Sequence, residues 1–313
     1  MTLHDPTASD DTKSETNESA VHLTWSERLR YLYPPIIAMI FSLFIAYIIL
    51  LANPLFFISV PPSADPFESL LVLLVIALIG GAATLATFMV FQHGNEWLHR
   101  VLIAAFVSPL FFILTVFMGQ ALFLILIYPG LTNLHLSLIA MASIMFSAFS
   151  MVFIFTDALG PGARNGLFTV YGVILGVFLG VNFTWYISIT LLGILAVQDV
   201  LFAMKLGPII IDADLKRHAR SAFTFAVGPM VIGVGDLIVY ASLVAFSLRY
   251  LGWILTGWTF IAILIGCLFN TQIVARYPNK AIPGLPLPLI CALVPITFGL
   301  TLIAVLGQSF LLI

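Results

Sequence analysis

Two aspartates stand where a charge is costly. Asp199 lies in LLGILAVQDVLFAM and Asp236 in VIGVGDLIVYASLV, and each is the only charge in a long apolar stretch. A carboxylate inside a bilayer is expensive, so an intramembrane acid reads first as functional; the alternative is a buried side chain hydrogen-bonded between helices. Two facing carboxyls do not both ionise readily and share a proton instead. One then serves as a base toward water, while the other, protonated, polarises a carbonyl. That is the chemistry of peptide hydrolysis by an aspartate pair. The same pair also suits a proton or ion relay in a transporter.

The elements that must hold these residues follow from composition. Of 313 residues only 8% are charged, against roughly 25% in soluble domains. With 61% apolar residues and a mean hydropathy of +1.14, the chain is neither a soluble domain nor a disordered one, and it lacks the basic surface of a nucleic-acid binder. Cys267 and Cys291 sit in apolar runs and give no disulfide framework or zinc spacing. The six histidines, His4, His22, His93, His99, His135 and His218, show no ligand spacing, so no metal or cofactor is expected.

Residues 1–30 are polar and Ser/Thr-rich, cannot bury enough apolar surface to fold, and read as a disordered tail without a signal peptide. The rest predicts an all-α polytopic membrane protein, since a span needs about 20 apolar residues. Nine spans are predicted near 34–52, 68–92, 100–127, 133–157, 165–181, 184–205, 229–249, 252–275 and 285–312. Breaks between them include Gly160-Pro161-Gly162, Gly207-Pro208 and Pro278. With the N-terminus inside and the C-terminus outside, eleven of the twelve cations fall on the cytoplasmic side, and only Arg249 falls outside. The chain divides into the tail, helices 1–6 (31–205), a short cytoplasmic loop (206–228) and helices 7–9 (229–313).

Depth arithmetic pairs the two acids. Asp199 precedes Lys205 by six residues, about 9 Å from the inner interface. Starting helix 7 at Pro229 puts Asp236 at a similar depth, about 10 Å in. The preceding Ser221, Ala222, Phe223, Thr224, Phe225, Ala226 and Val227 then fall outside the span, as an extended or interfacial segment. Gly233 and Gly235 flank the second acid, and small residues allow helix 7 to approach helix 6 closely. Gln120, Asn270, Gln272 and Thr184 read as interhelical hydrogen bonders, and Asp157 as an anchor of helix 4.

Gly233-Val234-Gly235-Asp236 is a GxGD motif and resembles that of the presenilin and signal-peptide-peptidase family of intramembrane aspartyl proteases. Helix 8 and its exit, IAILIGCLFNTQIVARYPNKAIPGLP, look like the matching presenilin stretch. They lead into Pro283-Gly284-Leu285-Pro286, similar to the family's PALP motif with glycine for alanine, a change that reads as mild. ILAVQDVLFAMKLGPI resembles presenilin helix 6, with Asp199 on the first catalytic aspartate and Gln198 where the family usually has tyrosine. The resemblance covers about 185–295. It implies a nine-helix fold, catalysis by Asp199 and Asp236, no cofactor, and transmembrane substrates in the lipid bilayer. By orientation it implies single-span substrates with an outside N-terminus. The 6–7 loop lacks the autocleavage segment of animal presenilins. Its compactness looks like microbial (archaeal) members, a resemblance that implies the cell membrane if the chain is microbial, and no obligate subunit is evident.

Overall fold

The computed structural model describes residues 29–51, 71, 74, 78, 97, 101, 133–156, 158–217, 224–227, 230–277 and 282–306. The tail to residue 28, nearly all of predicted helices 2 and 3, and Asp157 lie outside them. In chain order the elements are α1 (Tyr33–Leu51), α2 (Asn133–Thr156), α3 (Pro161–Asn182), α4 (Trp185–Arg217), β1 (Thr224–Val227), β2 (Met230–Gly233), α5 (Val234–Arg276) and α6 (Pro286–Leu306). Among the described residues four helices, α1, α3, α5 and α6, are long and apolar enough to cross a bilayer. Large apolar side chains such as Ile37, Phe44, Ile254 and Phe298 are exposed on the outside of the bundle. Such a surface is stable against lipid rather than water. The protein is a membrane-embedded, helical one. Hydroxyls on these helices turn back to the carbonyl one turn earlier, as Thr169 does to Asn165 and Thr297 to Leu293, which keeps them paired where water is absent.

Helix α5 is two arms, not one rod. Gly252 has φ 77 and ψ 179, a backbone state open to glycine. The Ser247 hydroxyl donates to Thr259 Oγ1 at 3.1 Å. Along a straight helix these residues would stand about 18 Å apart, so arms 234–251 and 253–276 lie side by side. Their division falls where the sequence predicted one helix to end and the next to begin.

The first arm is the centre of the bundle. Every residue from Val239 to Leu248 is buried, as expected of a helix apolar on all faces. Helix α1 reaches it through the Ser42 hydroxyl, which donates to the Ala241 carbonyl at 2.7 Å. Helix α3 packs closest, through its glycines. A Cβ on Gly176 would strike the Ile238 carbonyl, and one on Gly180 the Ser242 carbonyl. In the second arm, Gly266 similarly lies against the backbone of Pro288 in α6. Close packing therefore comes from Gly176, Gly180 and Gly266. Gly233 and Gly235 do not supply it. Among the described residues nothing stands where a Cβ on Gly235 would be, and the nearest atoms to Gly233 belong to Asp236 itself. The main neighbour of the first arm is α3 rather than α4.

Two predicted boundaries shift. Residues 230–233 are not the start of helix 7. Met230–Gly233 pairs antiparallel with Thr224–Val227, in the register Thr224↔Gly233, Phe225↔Ile232, Ala226↔Val231 and Val227↔Met230. Four apolar residues fit a strand as well as a helix, and pairing with a second short strand decides between them. The segment predicted as extended is thus extended at Thr224–Val227; Ser221, Ala222 and Phe223 lie outside the described residues. At the other boundary, α4 does not stop near Lys205 but continues through Gly207-Pro208 to Arg217.

The bundle has two distinct ends. At one, the Phe183 carbonyl between α3 and α4 accepts from the Tyr250 hydroxyl at 2.8 Å and from Arg249 Nη1 at 3.4 Å. The Arg249 guanidinium also lies 4.8 Å from the Tyr250 ring centre. The other end, about 20 Å along the first arm, carries Asp236.

Candidate active site

Asp236 is the third residue of α5. The Gly233 N–H donates to its Oδ2 at 3.3 Å. This is the half of a capping box in which an acidic side chain reaches back to the N-cap backbone. A carboxylate at this position also faces the favourable end of the helix dipole. Gly233 is extended, with φ −73 and ψ 144, and ends β2. The hairpin therefore delivers the chain into the helix at a set angle, and Asp236 follows within the first turn. This replaces the depth estimate that began helix 7 at Pro229.

Asp199 comes from the interior of α4. The element that receives it is the turn before α6. The Leu285 N–H donates to Asp199 Oδ2 at 2.9 Å, and the Gly284 N–H faces the same carboxyl. Leu285 is the N-cap of α6, its carbonyl accepting from the Leu289 N–H at 3.0 Å. Its own N–H precedes the helical ladder and is free for the carboxylate. Pro286 follows at the first helical position, where its missing N–H costs nothing. Pro283, Gly284 and Leu285 are non-helical, and Pro286 opens the helix.

Gly284 touches the second acid. A Cβ built there would stand 2.5 Å from Asp236 Oδ2 and 3.0 Å from its Cγ. Glycine in place of alanine is therefore not a mild change in this chain: it makes room for the carboxyl. Asp199 and Asp236 thus rest on consecutive residues of one turn, close enough for their charges to repel. Each has its own backbone donor, from Leu285 and from Gly233. Separate donors and separate helices let the two carboxyls hold different protonation states, which acid–base division of labour requires.

The Gly284 carbonyl accepts from two side chains of α5. Asn270 Nδ2 donates at 3.1 Å and the Tyr240 hydroxyl at 3.4 Å. The sequence placed Asn270 among interhelical hydrogen bonders without tying it to the turn, and passed over Tyr240. Tyr240 carries a signal that could have marked it, standing four residues after Asp236 and so on the same helix face. Gln198 is partly buried beside Asp199. Thr224 and Phe225 lie in β1, one strand away from Gly233. Among the described residues no group of His, Cys, Asp and Glu is arranged to hold a metal ion.

Compared with protein-family models and with curated proteins, the chain finds no match.

Proposed function

We propose that this chain is an intramembrane aspartyl endopeptidase that hydrolyses peptide bonds within the transmembrane segments of single-span proteins, in the manner of the presenilin-like enzymes its motifs resemble. The observation that carries this reading is the meeting of Asp199 and Asp236 on the single turn Gly284-Leu285. They reach it from residues 86 and 48 positions away in sequence. In the mechanism, one carboxylate takes a proton from water as that water attacks the scissile carbonyl. The other, protonated, gives its proton to the carbonyl oxygen, leaving a gem-diol; as the C–N bond then breaks, the first carboxyl hands the water's proton to the departing amine nitrogen and the second takes a proton back from a diol hydroxyl, which restores both.

A substrate helix has its backbone groups paired internally and must unwind before attack. The β1–β2 hairpin stands immediately before Asp236 and offers a strand edge on which an unwound segment can add as a further strand. Nine spans with an inside N-terminus complete the reading, and the substrates are then single-span proteins with an outside N-terminus. The test uses purified protein in detergent with a model single-span substrate. Wild type cleaves it, a transition-state-analogue aspartyl inhibitor stops cleavage, and Asp199→Asn or Asp236→Asn abolishes it with the fold intact. Full activity in either variant, or solute flux without proteolysis, refutes the protease reading.

A further inference from the structure

The peptide unit between Gly284 and Leu285 touches both sides of the site. Its N–H donates to Asp199, and its carbonyl accepts from Asn270 and Tyr240. A trans peptide is planar, so its C=O and N–H point in opposite directions and turn together. Holding the oxygen on one side therefore aims the hydrogen at Asp199 on the other. Restraint is needed here because residue 284 is glycine, whose backbone rotates most freely. The glycine that makes room for Asp236 also loosens the peptide that serves Asp199.

We propose that Asn270 is a positioning residue: by holding the Gly284 carbonyl, it fixes the Leu285 N–H on Asp199 and so sets the geometry of the carboxyl pair. The proposal rests on the protease reading only for its kinetic consequence. Asn270 spends its donor on this carbonyl, while its buried Oδ1 has no hydrogen-bond partner among the described residues. A buried acceptor left unpaired is unfavourable for folding. A side chain kept solely for packing between apolar helices would serve better as leucine, which has nearly the same size and nothing to leave unpaired. Tyr240 alone does not replace the clamp, since its bond to the carbonyl is the longer one.

The test compares full-length wild type with Asn270→Leu and Asn270→His in detergent. Leucine removes the donor. Histidine keeps one, because Nδ1 is attached to Cγ just as the asparagine amide nitrogen is. The leucine variant should lose about 30-fold in kcat with KM within about twofold, the scale of a sub-ångström misplacement at a reacting group. Histidine should stay within about fivefold of wild type, and the leucine variant should melt no lower than wild type.

A second readout does not depend on proteolysis. The infrared band of the Asp199 carboxyl, identified by its loss in Asp199→Asn, should shift in Asn270→Leu and return toward its original position in Asn270→His. If wild type does not cleave, the protease reading fails and the infrared band alone decides the clamp. An unmoved Asp199 band, unchanged kcat in the leucine variant of an active wild type, or a kcat loss that tracks a fall in melting temperature overturns the proposal.

Discussion

Replacing Gly284 by alanine isolates the geometry of the second carboxyl. The added Cβ would stand 2.5 Å from Asp236 Oδ2, 3.0 Å from Cγ and 3.0 Å from Oδ1, where ordinary contact begins at 3.4 Å. The carboxyl oxygen must therefore withdraw by about 0.9 Å, the difference of those distances. That oxygen is also the acceptor of the 3.3 Å hydrogen bond from the Gly233 N–H, so the movement disturbs this bond. Turning the side chain some 30° off its rotamer costs about 1 kcal/mol. The fold absorbs this, since the clash is with the end of a side chain and not with backbone. The chemistry does not absorb it. A misplacement of about 1 Å at reacting groups is worth about 100-fold, or about 2.7 kcal/mol of barrier. The expected result for Gly284→Ala is a kcat lowered about 100-fold with a melting temperature within a few degrees of wild type. The assay is steady-state cleavage of a single-span substrate in detergent, run beside a thermal melt of each protein. A Gly284→Ala enzyme with more than half the wild-type kcat would refute the placement of Asp236 against this turn.

The remaining predictions concern chemistry, packing and topology. Asp199→Asn and Asp236→Asn should each remove cleavage entirely, because neither carboxyl alone supplies both a base and a proton donor; equal melting curves would show that the loss is chemical. Gly176→Ala should destabilise the fold by about 1–3 kcal/mol, the usual cost of overpacking against a neighbour that cannot yield, since here that neighbour is the Ile238 backbone. Gly235→Ala should leave the melting temperature unchanged or raise it, by up to about 1 kcal/mol of helix propensity, since among the described residues nothing lies within 4 Å of its would-be Cβ. Cysteines placed at Lys216 and Arg276 should label from the cytoplasmic side and one at Arg249 from the outer side, and the reverse pattern would overturn the inside N-terminus. Chelators should leave cleavage unchanged, as the proposed mechanism uses carboxyls and water alone.

Much of this protein was legible in one dimension because a bilayer imposes one-dimensional rules. Backbone groups in lipid must pair within their own segment, so a run of apolar residues is a helix almost regardless of context. That is why Tyr33–Leu51, Asn133–Thr156 and Pro161–Asn182 fall close to their predicted bounds, and why two lone aspartates marked a candidate site. Local rules were weaker at boundaries. Gly207-Pro208 read as a break, yet α4 passes through it, and Met230–Gly233 read as helix although the segment before it read as extended or interfacial, because the pairing of the two leaves no local mark. Long-range contact was out of reach. Leu285 finds Asp199 at 86 residues' separation, and Gly284 finds Asp236 and Asn270 at 48 and 14. These contacts depend on how the arms of α5 fold back at Gly252 and how α3 and α6 pack around them. The sequence by itself determined that the chain lives in a membrane and that Asp199 and Asp236 are its unusual groups. Only the tertiary structure decided that they share one turn, that a Cβ at 284 would meet the second carboxyl, and that Asn270 hydrogen-bonds the turn. The physical reason is that the cost of a buried charge is a property of the residue and its neighbours in sequence, whereas a hydrogen bond or a missing Cβ matters only through what lies across from it.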